Sequence, residues 1–145
     1  PAGYRSWGPL RAGYASGYTP ERGNRSVLCA VMIETVEAVA GLDEILSVPG
    51  LDAVFVGPAD LALSAGLQPG LESEDASQAD RLRRVVEACA AHGVVPGIYA
   101  GPAAPRRREQ GFRMLGVATD AGELSSGVRS ALAAARAQPE TSTTR

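Results

Sequence analysis

Two acidic residues, Glu34 and Asp60, stand where a chain of alternating strands and helices does its chemistry. Glu34 directly follows the apolar run SVLCAVMI (26–33), and Asp60 follows DAVFVG (52–57) and the turn Pro58-Ala59. In parallel β/α proteins the reactive groups lie at the C-terminal ends of strands. Neighbouring parallel strands are about 4.8 Å apart. Carboxylates at two adjacent strand ends can therefore reach one hard cation at roughly 2.0–2.4 Å and leave its other positions to water and substrate. Without a cation, two such groups would repel each other. Each also has a simpler explanation, Glu34 as an acid favoured by the dipole of the following helix and Asp60 as an N-cap. The remaining strand ends offer Tyr99-Ala100-Gly101 and Ala118-Thr119-Asp120.

The elements that must present these residues follow a regular rhythm. Residues 1–24, rich in Gly, Tyr, Pro and Arg, read as an extended loop. The run 26–33 has the continuous apolar character of a parallel strand buried on both faces. Residues 35–46 carry Val36, Val39, Ala40 and Leu46 at helical spacing, closed by Pro49-Gly50. Residues 52–57 form the second strand, followed by a short helix and a polar loop near 68–75 that could act as a lid. Residues 77–92 are strongly amphipathic, with Leu82, Val85, Val86 and Cys89 on one face and Gly93 as the C-terminal cap. A third strand (94–100) leads to a weak helix (105–110), and a fourth (113–118) to a helix over about 121–137. The stretch 139–145 reads as a frayed tail. Four β-then-α units without hairpin signals imply parallel strands joined by right-handed crossovers. They would suit either a small doubly wound sheet or half of an eight-stranded barrel. No G-x-G-x-x-G or Walker-type loop follows any strand, which weakens a nucleotide-binding reading.

Composition narrows the classes further. The chain has 145 residues, 45% of them hydrophobic, and a net charge of −2. That is enough for one domain with a core, and it gives no electrostatic reason to expect nucleic acid or an anionic membrane as partner. All 14 basic residues are Arg. Cys29 and Cys89 both read as buried, inert thiols. No signal segment or bilayer-length apolar run is present, so a cytoplasmic protein is expected, although a start at Pro1 need not be the native one. The run Arg106-Arg107-Arg108 reads as a solvated helix face.

Three segments resemble the HpcH/HpaI aldolase and citrate lyase family of the pyruvate and phosphoenolpyruvate barrels. They are GYRSWGPLRA (3–12), MIETVEA (32–38) and LDAVFVGPADLALSAG (51–66), with VPGIYA (95–100) and FRMLGVATD (112–120) fitting the last two strands. The resemblance implies a partial (β/α)8 barrel, strands five to eight with their helices, over residues 25–138. Residues 1–24 would be a loop near the active site. It implies that Glu34 and Asp60 are the metal ligands, and that the backbone around Ala59 and Asp60 holds an α-keto acid. Met32 occupies a substrate-touching position where some members carry Gln, and Ala62 replaces a common serine. The implied cofactor is a divalent metal, Mg²⁺, Mn²⁺ or Co²⁺, and the implied assembly is a homo-oligomer of the full-length protein.

No catalytic residue is assigned within this chain. The family's histidine base and carboxylate-binding arginine are expected in an N-terminal half that would precede it. His92, the only histidine, closes a helix on the opposite rim from the metal and reads as solvent-facing. Arg5 and Arg11 read as loop or surface residues. The implied reaction is aldol cleavage to pyruvate, or a related α-keto acid, and an aldehyde, with metal stabilisation of an enolate. A Schiff-base route would need a lysine from elsewhere. A CoA-thioester lyase of the citryl or malyl type is the same-family rival. The rival from another class is a non-catalytic half-barrel that needs a partner half. Four barrel strands alone leave two edges and an apolar face open, so the isolated chain is expected to fold poorly, oligomerise or require its missing half.

Overall fold

Four parallel strands lie in chain order in one sheet, β1 (Ala30–Ile33), β2 (Ala53–Val56), β3 (Val95–Tyr99) and β4 (Met114–Gly116). The structure, a computed structural model, describes residues 19–137. Ile33 is paired with Val56 and Val56 with Ile98, so the C-terminal ends of the first three strands are level. The helices are α1 (Pro20–Arg25), α2 (Val36–Ala40), α3 (Leu42–Leu46), α4 (Pro58–Ser64), α5 (Ala76–His92), α6 (Ala104–Glu109) and α7 (Asp120–Arg136). Among the described residues, no helix is long and apolar enough to cross a membrane.

Side chains alternate across a strand, and here the two faces of the sheet have different fates. Ile33, Val54, Val56 and Ile98 point to one face and form a buried core with Leu42, Leu46, Leu82, Val85, Cys89 and Phe112 from the helices and loops. Each such burial stabilises by about 1.5–3 kcal/mol. The other face carries Met32, Phe55, Val95, Tyr99 and Met114, with Met32 54% and Val95 41% exposed. The continuous apolar runs suggest burial on both faces, but among the described residues helices cover only one.

Several expected boundaries move for local reasons. The sequence suggests loop over 1–24, but Thr19 caps α1 by accepting a hydrogen bond from Arg22 N at 3.2 Å, with Pro20 in the first turn. The helix expected over 35–46 breaks at Gly41 into α2 and α3. The long amphipathic helix is observed as α5, capped by Asp75 at its start and ended by Gly93 in the left-handed conformation (φ 70°). Helix α7 has its expected extent yet buries no residue, leaving Leu124, Val128 and Leu132 exposed. Cys89 is buried as expected, whereas Cys29 is exposed, because it lies ahead of the paired part of β1. The segments around Arg5, Arg11 and 139–145 lie outside the described residues.

Candidate active site

Glu34 follows the last residue of β1 and continues the alternation of Ala30 and Met32, which places it on the uncovered face. Its neighbour Thr35, not Glu34, caps α2 by accepting from Ala38 N at 3.1 Å. Gly57 is the N-cap position of α4, so Asp60 sits in the first turn and is not the cap residue. Neither carboxylate is therefore occupied in capping. Among the described residues, neither makes a side-chain hydrogen bond or an ion pair.

Gly57 leaves the room that the Glu34 side chain takes at the end of β2. Pairing of Ile33 with Val56 sets Glu34 beside Gly57, and the Glu34 side chain lies across the glycine. A Cβ on residue 57 would stand 2.5 Å from Glu34 Oε1 and 2.9 Å from its Cγ. The Glu34 carboxylate thus lies over Gly57 at the end of β2, the residue that precedes α4. Ser64, closing α4, accepts from Val36 N at 3.1 Å and ties the helices after β1 and β2 together. Asp60 is exposed, Ala59 partly buried, and Met32 projects from the same open face.

This donor set suits a hard cation. Two carboxylate oxygens from the protein, with water and substrate filling the remaining positions, is the arrangement Mg²⁺-like ions accept. No cluster of three or more His, Cys, Asp or Glu that could hold a metal is present among the described residues. Any such site here would rest on the pair. Neither carboxylate lines the hollows that lie between α5, α6 and the loop before α5.

His92 is far from this rim in the fold. It ends α5 just before β3 begins, and its Nε2 is 3.2 Å from Asp43 Oδ1. Gln78 and Arg107 are buried near the strand-end rim. For Gln78 a signal existed, since it shares the helical stripe of Leu82, Val85 and Cys89. Arg107 was concealed in an arginine run read as solvated, and that expectation is wrong for it. Arg106 and Arg108 are exposed, but α6 turns Arg107 inward against the 66–75 loop.

The chain shares 41% identity over 141 residues with the hydroxypyruvate/pyruvate aldolase of Rhizorhabdus wittichii, covering 94% of this chain and 56% of that protein. With the 2-dehydro-3,6-dideoxy-6-sulfogluconate aldolase of Pseudomonas putida it shares 37% over 120 residues, covering 80% and 45%. A crystal structure of an HpcH/HpaI aldolase/citrate lyase family protein from Burkholderia cenocepacia superposes with a TM-score of 0.70 at 34% identity. That match covers 81% of this chain and 46% of the other. The chain spans about half the length of the curated relatives it matches. Residues 8–126 match the model of the HpcH/HpaI aldolase/citrate lyase family, and the chain belongs to that family.

Proposed function

We propose that this chain forms the C-terminal half of an eight-stranded barrel, strands five to eight. In this reading Glu34 and Asp60 hold Mg²⁺, Mn²⁺ or Co²⁺ for an aldol cleavage. The products are pyruvate, or a related α-keto acid such as hydroxypyruvate, and an aldehyde. When bound, the cation supplies Lewis-acid stabilisation of the enolate charge that develops as the carbon–carbon bond breaks. The observation that carries the proposal is the pair of unpaired carboxylates at neighbouring strand ends, with Gly57 leaving the space that Glu34 occupies.

The chain's own residues divide the remaining work. The first N–H groups of a helix have no intrahelical partner. In α4 the first such bond runs from Leu61 N to Gly57 O (2.9 Å). The backbone at Ala59 and Asp60 is thus available to the keto acid. Met32 borders the same space with a thioether and offers apolar contact where an amide would offer hydrogen bonds. The general base and an arginine for the substrate carboxylate are assigned to a front half, because His92 is engaged with Asp43 at the other end of α5. The open sheet edges and the uncovered face of Met32, Phe55 and Tyr99 are what such a half would complete.

The test joins or mixes this chain with the front half of the Rhizorhabdus relative and follows pyruvate release. Activity should appear only with both halves, require a divalent cation, and fall by roughly a hundredfold or more in Glu34→Gln and Asp60→Asn. Turnover that is indifferent to a chelator and to both substitutions would refute the assignment. Cation binding without turnover would favour a non-catalytic half.

A further inference from the structure

Gln78 and Arg107 are 3% and 4% exposed, and both direct hydrogen bonds to backbone carbonyls of the rim that carries Asp60. Gln78 Nε2 donates to the carbonyl of Pro58 at 3.2 Å, the residue that opens α4. Arg107 Nη2 donates to the carbonyl of Leu71 at 2.8 Å, and its Nη1 to Gln110 Oε1 at 2.9 Å. Leu71 in turn rests against Gly101 just beyond β3, where a Cβ would stand 3.1 Å from Leu71 Cδ1. A hollow of about 10 Å³, room for the centre of one water, is lined by Pro58, Leu71, Gln78 and Arg107. Buried Arg107 Nε has no hydrogen-bond partner.

An arginine in this position is a poor choice for stability alone. Among the described residues, no carboxylate lies within 4.0 Å of its guanidinium. Burial, aided by repulsion from Arg106, pulls its pKa down. An apolar side chain of similar volume in place of a buried charge is often neutral or stabilising. What arginine supplies instead is donors held in a rigid fork. One arm grips the end of α6, and the other fixes the loop between α4 and α5.

We propose that Gln78 and Arg107, joined by one water in the hollow between them, are positioning residues for the carboxylate site. Gln78 sets the peptide that opens α4, and so the turn of Asp60, while Arg107 seats the 66–75 loop against it. The effect on cation binding rests on the function proposed above; the brace itself rests only on the side-chain geometry.

The experiment compares Arg107→Met, Arg107→Lys and Gln78→Leu in this chain joined to the front half of the Rhizorhabdus relative, by Tm, by hydrogen exchange and by Mn²⁺ binding in electron paramagnetic resonance. In Arg107→Met and Gln78→Leu, exchange over 58–75 should quicken about tenfold while the amides of Val85 and Cys89 in α5 hold. Arg107→Met should keep its Tm within about 3 °C, and Mn²⁺ affinity should fall about tenfold in both variants. Arg107→Lys, which retains a donor for Leu71, should recover most of the loss. A lowered Tm with exchange and Mn²⁺ affinity unchanged would overturn the brace and leave a merely structural role. If the unsubstituted chain binds no Mn²⁺ but the variants still loosen 58–75, the brace stands and the cation assignment fails.

Discussion

A carboxylate without a partner at a strand end is energetically tolerable only while water reaches it, and Glu34, partly buried, and Asp60, exposed, both satisfy that condition. Room for the Glu34 side chain at the end of β2 is left by Gly57. Its backbone (φ −90°, ψ 95°) is open to any residue, so the only penalty for alanine there is steric, against Glu34 Oε1 and Cγ. Gly57→Ala should therefore leave Tm nearly unchanged while displacing the Glu34 carboxylate. Mn²⁺ affinity is expected to fall by about tenfold or more, measured by titration against the unsubstituted chain. Unaltered affinity would mean that Glu34 is not a ligand. The residue types and strand-end positions of Glu34 and Asp60 were legible in the sequence, because an acid after an apolar run is a local pattern. The role of Gly57 was not, since it depends on which residue of β1 is level with it across the sheet. Arg107 was misread for the same reason. Its burial is decided by a loop 36 positions away in the chain.

Among the elements, those defined by their own caps and periodicity were the most readable. Helix α5 carries Asp75 at one end, Gly93 at the other and a continuous apolar stripe between, and its observed extent differs from expectation by a single residue. The strands are shorter than their apolar runs, because pairing ends where a neighbour ends: β2 begins at Ala53, whose N–H donates to Cys29 O, and β1 is paired only from Ala30. The α5 cap also carries a pH dependence. Asp75 accepts hydrogen bonds from the Ser77 hydroxyl and the Gln78 and Ser77 amides, which lowers its pKa. Asp43, held by Arg84 and then His92, is lowered as well. A carboxyl depressed on folding contributes stability above its unfolded value of about 3.9, and that contribution disappears as pH falls through the lower folded value. Tm should thus decline on acidification below about pH 4. The acid limb should be shallower in Asp75→Asn and Asp43→Asn; an identical limb in both would count against these bonds.

At the scale of the molecule, the described residues form a four-stranded parallel sheet covered on one side. Parallel sheets are found with both faces covered, and among the described residues β1 and β4 each present an unpaired edge. Residues such as Met32 and Val95, over 40% exposed on the uncovered face, add an apolar surface that water will not tolerate at high concentration. The isolated chain should run in light scattering as an oligomer or aggregate whose size grows with concentration. Addition of a front half should convert it to a one-to-one complex. A stable, concentration-independent monomer would argue that the sheet is sufficient as it is.

Helices α5 and α7 are each 17 residues long, and they nonetheless belong to different regimes. Five α5 residues are buried, whereas α7 buries none and contains Gly122 and Gly127. Lacking tertiary support, a helix of that length is near the limit at which propagation offsets nucleation in water, and each interior glycine removes about 1 kcal/mol more. The C-terminal helix should consequently open as its own unit, with trypsin cutting after Arg129 well before it reaches Arg83 or Arg84 in α5, and the sheet left intact by the nick.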